Sequence, residues 1–353
     1  MTNPGMDLWT TAAVFVEDLL RLQKDERLLI YVDEESDPAV SQAIRDCAER
    51  IGAETDLLEL NSDWDLPAVL KELTGRIEQG RFDAICELSE QYFYPTAVWT
   101  KAVQLGGRVY RLGAINAETF VRCVGQVDQE RMYGFGLALR IVLQQATSVH
   151  VVTTEGTDLR FQLRSGSLIR RVLSRLGVRK RAWVGLPSGI WTAERRSTFL
   201  GGQLPLLGIP ETIRGKAVVN GYLWPPQEVG RLDAPITLTL HRGKVTGIAG
   251  GSQAGVLSQW LQGKDTSIKH FCMGFNPGAR PSGTITEAER AFGCWVVGFG
   301  TFPFHTDGVI TAPTVSLDGR AIEEEGFFMG EELTNLGKVL AQSLGGHAGL
   351  GPL

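Results

Sequence analysis

Up to about residue 145 the chain alternates short apolar runs with amphipathic stretches of helical period, which predicts strands and helices packed around a parallel sheet. Leu28–Val32 (LLIYV) reads as a first strand. Asp37-Pro38 then opens a helix running to about Arg50, with proline at the first helical position, where its missing N–H costs nothing. Glu54–Leu60 is a second strand and Leu66–Gln79 its helix. Phe82–Leu88 (FDAICEL) is a third strand, followed by the aromatic cluster Tyr92, Phe93, Tyr94 and Trp99, and Arg108–Arg111 is a short fourth. No GxGxxG follows Val32, so this Rossmann-like layer carries no dinucleotide fingerprint.

A helix over Met132–Gln145 links to a second domain that opens with a strand at Ser148–Thr154. Beyond it the texture changes. Gly-rich turns at Glu155-Gly156, Pro187-Ser188-Gly189, Arg242-Gly243 and Gly250-Gly251 separate short apolar runs, and Thr237–His241 with Lys244–Ala249 reads as a hairpin. Asp318-Gly319 signals another hairpin, and Glu331–Leu344 an amphipathic helix ending at Gly345-Gly346. The expected organisation is an N-terminal α/β domain over residues 1–146 and a mostly β, or α+β, domain over 147–353 that carries the chemistry.

Length and composition agree with two soluble domains: 353 residues exceed one usual hydrophobic core, and 43% of them are hydrophobic against 21% charged. A formal charge of −5 argues against nucleic acid as the main partner. The one basic run, Arg170 to Arg181, reads as a solvated helix face. The N-terminus shows no basic-then-apolar leader and no run long enough to span a bilayer, so a cytoplasmic location without membrane contact is expected. Five cysteines without a CxxC pair indicate neither a disulfide framework nor structural zinc, and Cys272 and Cys294 read as small packing residues.

The candidate chemistry lies between His270 and Asp318. His305 and Asp307 stand two residues apart in a β-branched context, so on a strand both would project from one face. His270 precedes the turn Asn276-Pro277-Gly278, and the chain has only five histidines. Two imidazoles and a carboxylate leave about half of an octahedral shell open, the arrangement by which non-haem iron(II) receives substrate and dioxygen. Spacing alone leaves a plain surface hydrogen bond as the commoner reading of a His-x-Asp pair. His150 and His241 fall within strands and read as structural, and His347 lies in a Gly-rich tail.

Several short runs taken together, GTDLRF from Gly156, GLPSG from Gly185, NGYLWP from Asn220, GFNPGA from Gly274 and His-Thr-Asp from His305, resemble the aminopeptidase T family of metallopeptidases, whose fold includes the 2,5-dihydroxypyridine 5,6-dioxygenases. The departures narrow the resemblance. Where the peptidases place a metal-binding glutamate after LPSG, this chain has Ile190; where they place a histidine in the segment matching Gly293–Gly300, it has Val296; and where they carry a glutamate before the NPGA turn, it has His270. Apolar side chains cannot bind a cation, so a dinuclear centre lacks its ligands.

The resemblance therefore implies the dioxygenase branch: a single iron(II), with manganese or zinc as alternatives, held by His270, His305 and Asp307, acting on an electron-rich aromatic or heteroaromatic ring. Ser282, Thr306, Thr311 and Glu289 are candidates to orient those ligands. The pyridine dioxygenases use a histidine of the N-terminal domain as acid/base, but no histidine precedes His150 here, so Glu90 or Tyr92 is the expected substitute, an aromatic packing patch being the alternative for Tyr92. Two other functions share the same residues: a metal-dependent aminopeptidase-like hydrolase or peptide-modifying enzyme, and a peptide-binding protein of a ribosomal-peptide biosynthetic pathway that holds its ligand by strand addition. The resemblance also implies a homo-oligomer.

Overall fold

A computed structural model describes residues 7–60, 66–90, 97–163, 182–192, 195–281, 283–331 and 333–335. The chain forms two compact units: Met1–Glu130 with Ser188–Gly201, and Arg131–Pro187 with Gly202–Leu353. The hydropathy pattern places one cut after residue 146, whereas the chain crosses three times, after Glu130, Pro187 and Gly201: the helix Gln129–Gln145 falls almost wholly in the second unit, and a short strand at Ser197–Phe199 returns to the first.

In the first unit five parallel strands lie in the order Glu54–Glu59, Arg27–Val32, Ala84–Glu87, Arg108–Arg111, Ser197–Phe199. The first four were legible as apolar runs; the fifth was not, because three residues carry no period. The helix Pro38–Arg50 starts where Asp37 accepts a hydrogen bond from the Ala39 N–H at 2.9 Å. Leu66–Gly80 buries Val69, Leu73 and Ile77, spaced four apart, against Leu29, Tyr31, Ile85 and Val109. Each such side chain contributes about 1.5–3 kcal/mol of transfer free energy. Glu87, fully buried at its strand end, ion-pairs with the directly opposite Arg111 and accepts from Trp99 Nε1 at 3.0 Å, so the charge is not stranded.

The second unit is built on two antiparallel sheets, as expected of a mostly β domain. The eight-stranded sheet includes the hairpin Ile236–His241/Lys244–Ala249, turned at Arg242-Gly243, and the hairpin Thr314–Leu317/Arg320–Glu324, turned at Asp318-Gly319. The seven-stranded sheet runs Gly230–Arg231, Tyr222–Trp224, Thr306–Thr311, Cys294–Phe299, Ile268–Gly274, Gln203–Leu207, Trp183–Val184. Phe161 of the first sheet stacks on Phe271 of the second at 4.7 Å between centroids, with Trp295 beside both. Because side chains alternate along a strand, Phe271, Met273, Trp295 and Val297 fill this inner face, and His270, Cys272, Val296 and Gly298 are turned to the other.

That outer face is partly covered by the segment after the NPGA turn, whose short helix Ile285–Ala288 is capped by Thr284. Ala288 and Ala291, with Ala279 and Ile285 packed beside them, close over Cys272, Cys294, Val296 and Val309. Asn276 shapes the turn by accepting from the Gly278 N–H at 2.8 Å. All five cysteines are free and buried, Cys272 and Cys294 among them as the packing reading has it. Among the described residues no helix is long and apolar enough to cross a membrane.

Candidate metal centre

Three neighbouring strands of the seven-stranded sheet bring His270, Gly298 and Asp307 into one cross-strand row: His270 pairs with Gly298, and Gly298 with Asp307. A β-bulge at Lys269 aims the histidine. Ile268 pairs with Phe299 and His270 with Gly298, so one extra residue separates them; Ile268 joins Phe299 on the buried face while His270 turns outward. His305 sits one residue before the strand Thr306–Thr311, two positions from Asp307 and on the same face, as the spacing predicted.

The three donor groups converge. His270 Nε2 and His305 Nε2 are 3.1 Å apart, His270 Nε2 lies 3.3 Å from Asp307 Oδ1, and His305 Nε2 lies 3.2 Å from Asp307 Oδ2. Among the described residues this is the one group of three or more His, Cys, Asp or Glu side chains whose ligand atoms all lie within 4.8 Å of one another. Donors bonded at about 2.1 Å to one ion stand about 3.0 Å apart in an octahedron and about 3.4 Å in a tetrahedron, and the observed edges fall between. Among the described residues Asp307 Oδ1 is buried with no hydrogen-bond partner, an orphaned acceptor that a cation would satisfy. The donor set therefore fits a single metal ion.

Gly298 is what makes room. A Cβ there would lie 2.4 Å from His270 Cε1 and Nε2 and 2.6 Å from Asp307 Oδ1, inside the space the donors enclose. Its signal was present in the sequence, as a glycine interrupting the apolar run CWVVGFG, a mark of close approach. Gly300, two residues on, has φ +82°, and a side chain there would strike the Phe304 carbonyl. Its own carbonyl faces His305 Nδ1 at 3.2 Å. The loop between them is pinned by Asp265, which accepts from Thr301 Oγ1 at 2.7 Å and from the Ser267 backbone N–H at 3.0 Å.

These contacts set the protonation of the site. His305 Nδ1 needs its proton to donate to Gly300, which leaves the lone pair of the neutral ring on Nε2, facing the cluster. Burial works against the His305 imidazolium, but Asp307 and the Gly300 carbonyl outweigh it and raise its pKa above the usual value. His270 has weaker support: burial, with His305 opposing its charge, lowers it to about 4 despite Asp307. Burial alone would raise Asp307, yet the two imidazoles hold its carboxyl below the ordinary range. His270 Nδ1 lies 3.4 Å from Cys272 Sγ, a thiol whose own ionisation burial suppresses. Without a cation the 3.1 Å N···N contact is a hydrogen bond from His270 Nε2–H, with the thiol able to donate to Nδ1; a cation would require the opposite tautomer, Nδ1–H toward sulfur.

Of the other expected site residues, Glu289 is nearest in electrostatic effect. Burial raises its carboxyl, the Arg290 guanidinium that ion-pairs with it opposes that shift, and the Asp307 charge adds to it. Thr306 is corrected: it is fully buried on the face opposite Asp307. Thr311 is on the correct face but pairs with Cys294, two rows away, with its N–H on Asn220 Oδ1 at 2.8 Å. Glu90 belongs to the first unit, where its carbonyl accepts from Arg111 Nη2 at 3.1 Å. Tyr92 and Ser282 lie outside the described residues, as do His347 and the basic run Arg170–Arg181. His150 is half-exposed and pairs with Asp158 at 2.8 Å, as a structural histidine does.

A family profile for 2,5-dihydroxypyridine 5,6-dioxygenase (NicX) matches residues 9–294. The chain belongs to that family. His305 and Asp307 lie beyond the matched segment, so their assignment rests on the geometry above. The fold is similar to that of 2,5-dihydroxypyridine dioxygenase from Pseudomonas putida KT2440, with a TM-score of 0.70 at 17% identity over 92% of this chain and 98% of that one. It is also similar to AmpT from Thermus thermophilus, with a TM-score of 0.59 at 12% identity over 92% and 99%. No curated protein matches in sequence. Both likenesses show the shared fold. Val296, in the row next to Gly298, is fully buried and apolar and offers no ligand.

Proposed function

We propose that the chain is a ring-opening dioxygenase that holds one iron(II) through His270 Nε2, His305 Nε2 and the Asp307 carboxylate, and acts on an electron-rich aromatic or heteroaromatic compound with two adjacent donor atoms. The observation that carries this is the convergence of two imidazole nitrogens and an otherwise unpartnered buried carboxylate oxygen around the gap left by Gly298. When bound, iron(II) would supply the Lewis acidity and redox chemistry that ring oxygenation requires.

The protein's own contribution is geometric and electrostatic. Gly300 fixes the tautomer of His305, the Lys269 bulge aims His270, and Asp307 supplies one negative charge against two neutral imidazoles, so a divalent ion keeps a net positive charge that favours an anionic chelating substrate. A second reading, a one-metal hydrolase, is supported by the likeness to AmpT.

Metal analysis of anaerobically prepared protein tests the choice. About one iron per chain, lost in His305→Ala with the fold retained, supports the dioxygenase. Zinc as the activating metal would favour the hydrolase, and metal content unaffected by His305→Ala would refute the site.

A further inference from the structure

The row that holds the donors does not end at Asp307. The strand Tyr222–Trp224 pairs antiparallel with Thr306–Thr311, placing Leu223 opposite Gly308 and Trp224 opposite Asp307. Directly paired residues share a face with their Cβ atoms about 5 Å apart, so the order across the outer face is Trp224, Asp307, Gly298, His270. Tyr222 checks this independently: two residues from Trp224 and therefore on the same face, it packs against the cluster formed by Cys272, Val296 and Val309. Those residues are the two-residue neighbours of His270, Gly298 and Asp307. Trp224 is only half-buried. Its indole N–H is directed to Gln227 Oε1 at 3.4 Å, which leaves the apolar faces of the ring as its remaining contact surface.

We propose that Trp224 is a substrate-binding residue, forming an aromatic wall beside the carboxylate ligand on which the planar ring of a metal-chelating substrate stacks. This rests on the metal reading above and adds to it the residue that would select a flat aromatic chelator over an aliphatic one. The physical ground is the preference of π faces for offset stacking, together with the apolar area that both rings remove from water. The residue between His270 and Asp307 in this row is Gly298, which has no side chain to compete for the space.

The experiment compares two chelators of similar bite on iron(II)-loaded protein without oxygen: 4-nitrocatechol, which has a ring, and oxalate, which has none. Trp224→Leu keeps bulk without a π face and Trp224→Ala removes both; whichever folds carries the test, with Trp224→Phe as the conservative control. Iron content is expected to stay at one per chain throughout. The leucine and alanine variants should bind 4-nitrocatechol about tenfold more weakly, oxalate should be unchanged, and the phenylalanine variant should recover most of the loss. Equal weakening of both chelators, or unchanged 4-nitrocatechol affinity, would overturn the proposal while leaving the metal site standing. Failure of the unmodified chain to take up iron would overturn the metal reading and this inference with it.

Discussion

Gly298→Ala offers a direct test of the centre because the substitution adds one methyl group at a residue whose backbone does not need glycine. Its φ is not among the positive values found at other glycines of the chain, so alanine is sterically permitted by the main chain. The obstacle is local. The new Cβ would stand 2.4 Å from two atoms of the His270 ring and 2.6 Å from Asp307 Oδ1, about 1 Å inside ordinary contact distance. Both neighbours are side-chain ends that can swing away, so the fold should survive with an overpacking cost at or below about 1–3 kcal/mol. Coordination distances tolerate only about 0.2 Å, however, and a 1 Å displacement removes at least one ligand. Removing only a group that orients a ligand costs about 10–100-fold in metal affinity, so loss of a ligand should exceed about 100-fold. The assay is anaerobic loading with iron(II), removal of free metal and iron determination, alongside thermal unfolding. Gly247→Ala is the control, since its Cβ would meet Thr239 at an ordinary 3.4 Å in the other sheet. A Gly298→Ala protein that binds one iron with unchanged affinity would refute the placement of the ion.

Two further outcomes concern protons. Metal uptake should weaken as pH falls, because His305 must lose its proton to bind and its pKa is raised, whereas His270, at about 4, is already neutral; below the His305 pKa the apparent affinity should drop about tenfold per pH unit, and a profile flat from pH 8 to 5 would contradict this. Glu323 is fully buried with no partner for either carboxylate oxygen among the described residues, and burial pushes its carboxyl well above the usual range. A folded pKa above the unfolded value means its full stability is present below about pH 4.5 and is lost at up to about 1.4 kcal/mol per pH unit as pH rises toward the folded value. Glu323→Gln should therefore be more stable than the natural chain at pH 8 and little different at pH 4, by denaturant unfolding; no gain at pH 8 would contradict it.

The sequence by itself determined the local elements and the donor types. Apolar runs fixed four of the five parallel strands, Asp37-Pro38 fixed a helix start, and Arg242-Gly243 and Asp318-Gly319 fixed two hairpins, because these depend on period and on backbone preferences within a few residues. The same-face relation of His305 and Asp307 was legible for that reason too. What only tertiary structure decided was everything that depends on register between distant strands. His270 lies 35 residues from His305, and no local rule states that they face each other at 3.1 Å. That follows from the Lys269 bulge, which reverses the facing of His270 relative to Ile268, and from a pairing that puts Gly298 between the two ligands and Trp224 beside them. The return of Ser197–Phe199 to the first sheet was hidden likewise, since three residues acquire their partners only from the strand already standing at the edge.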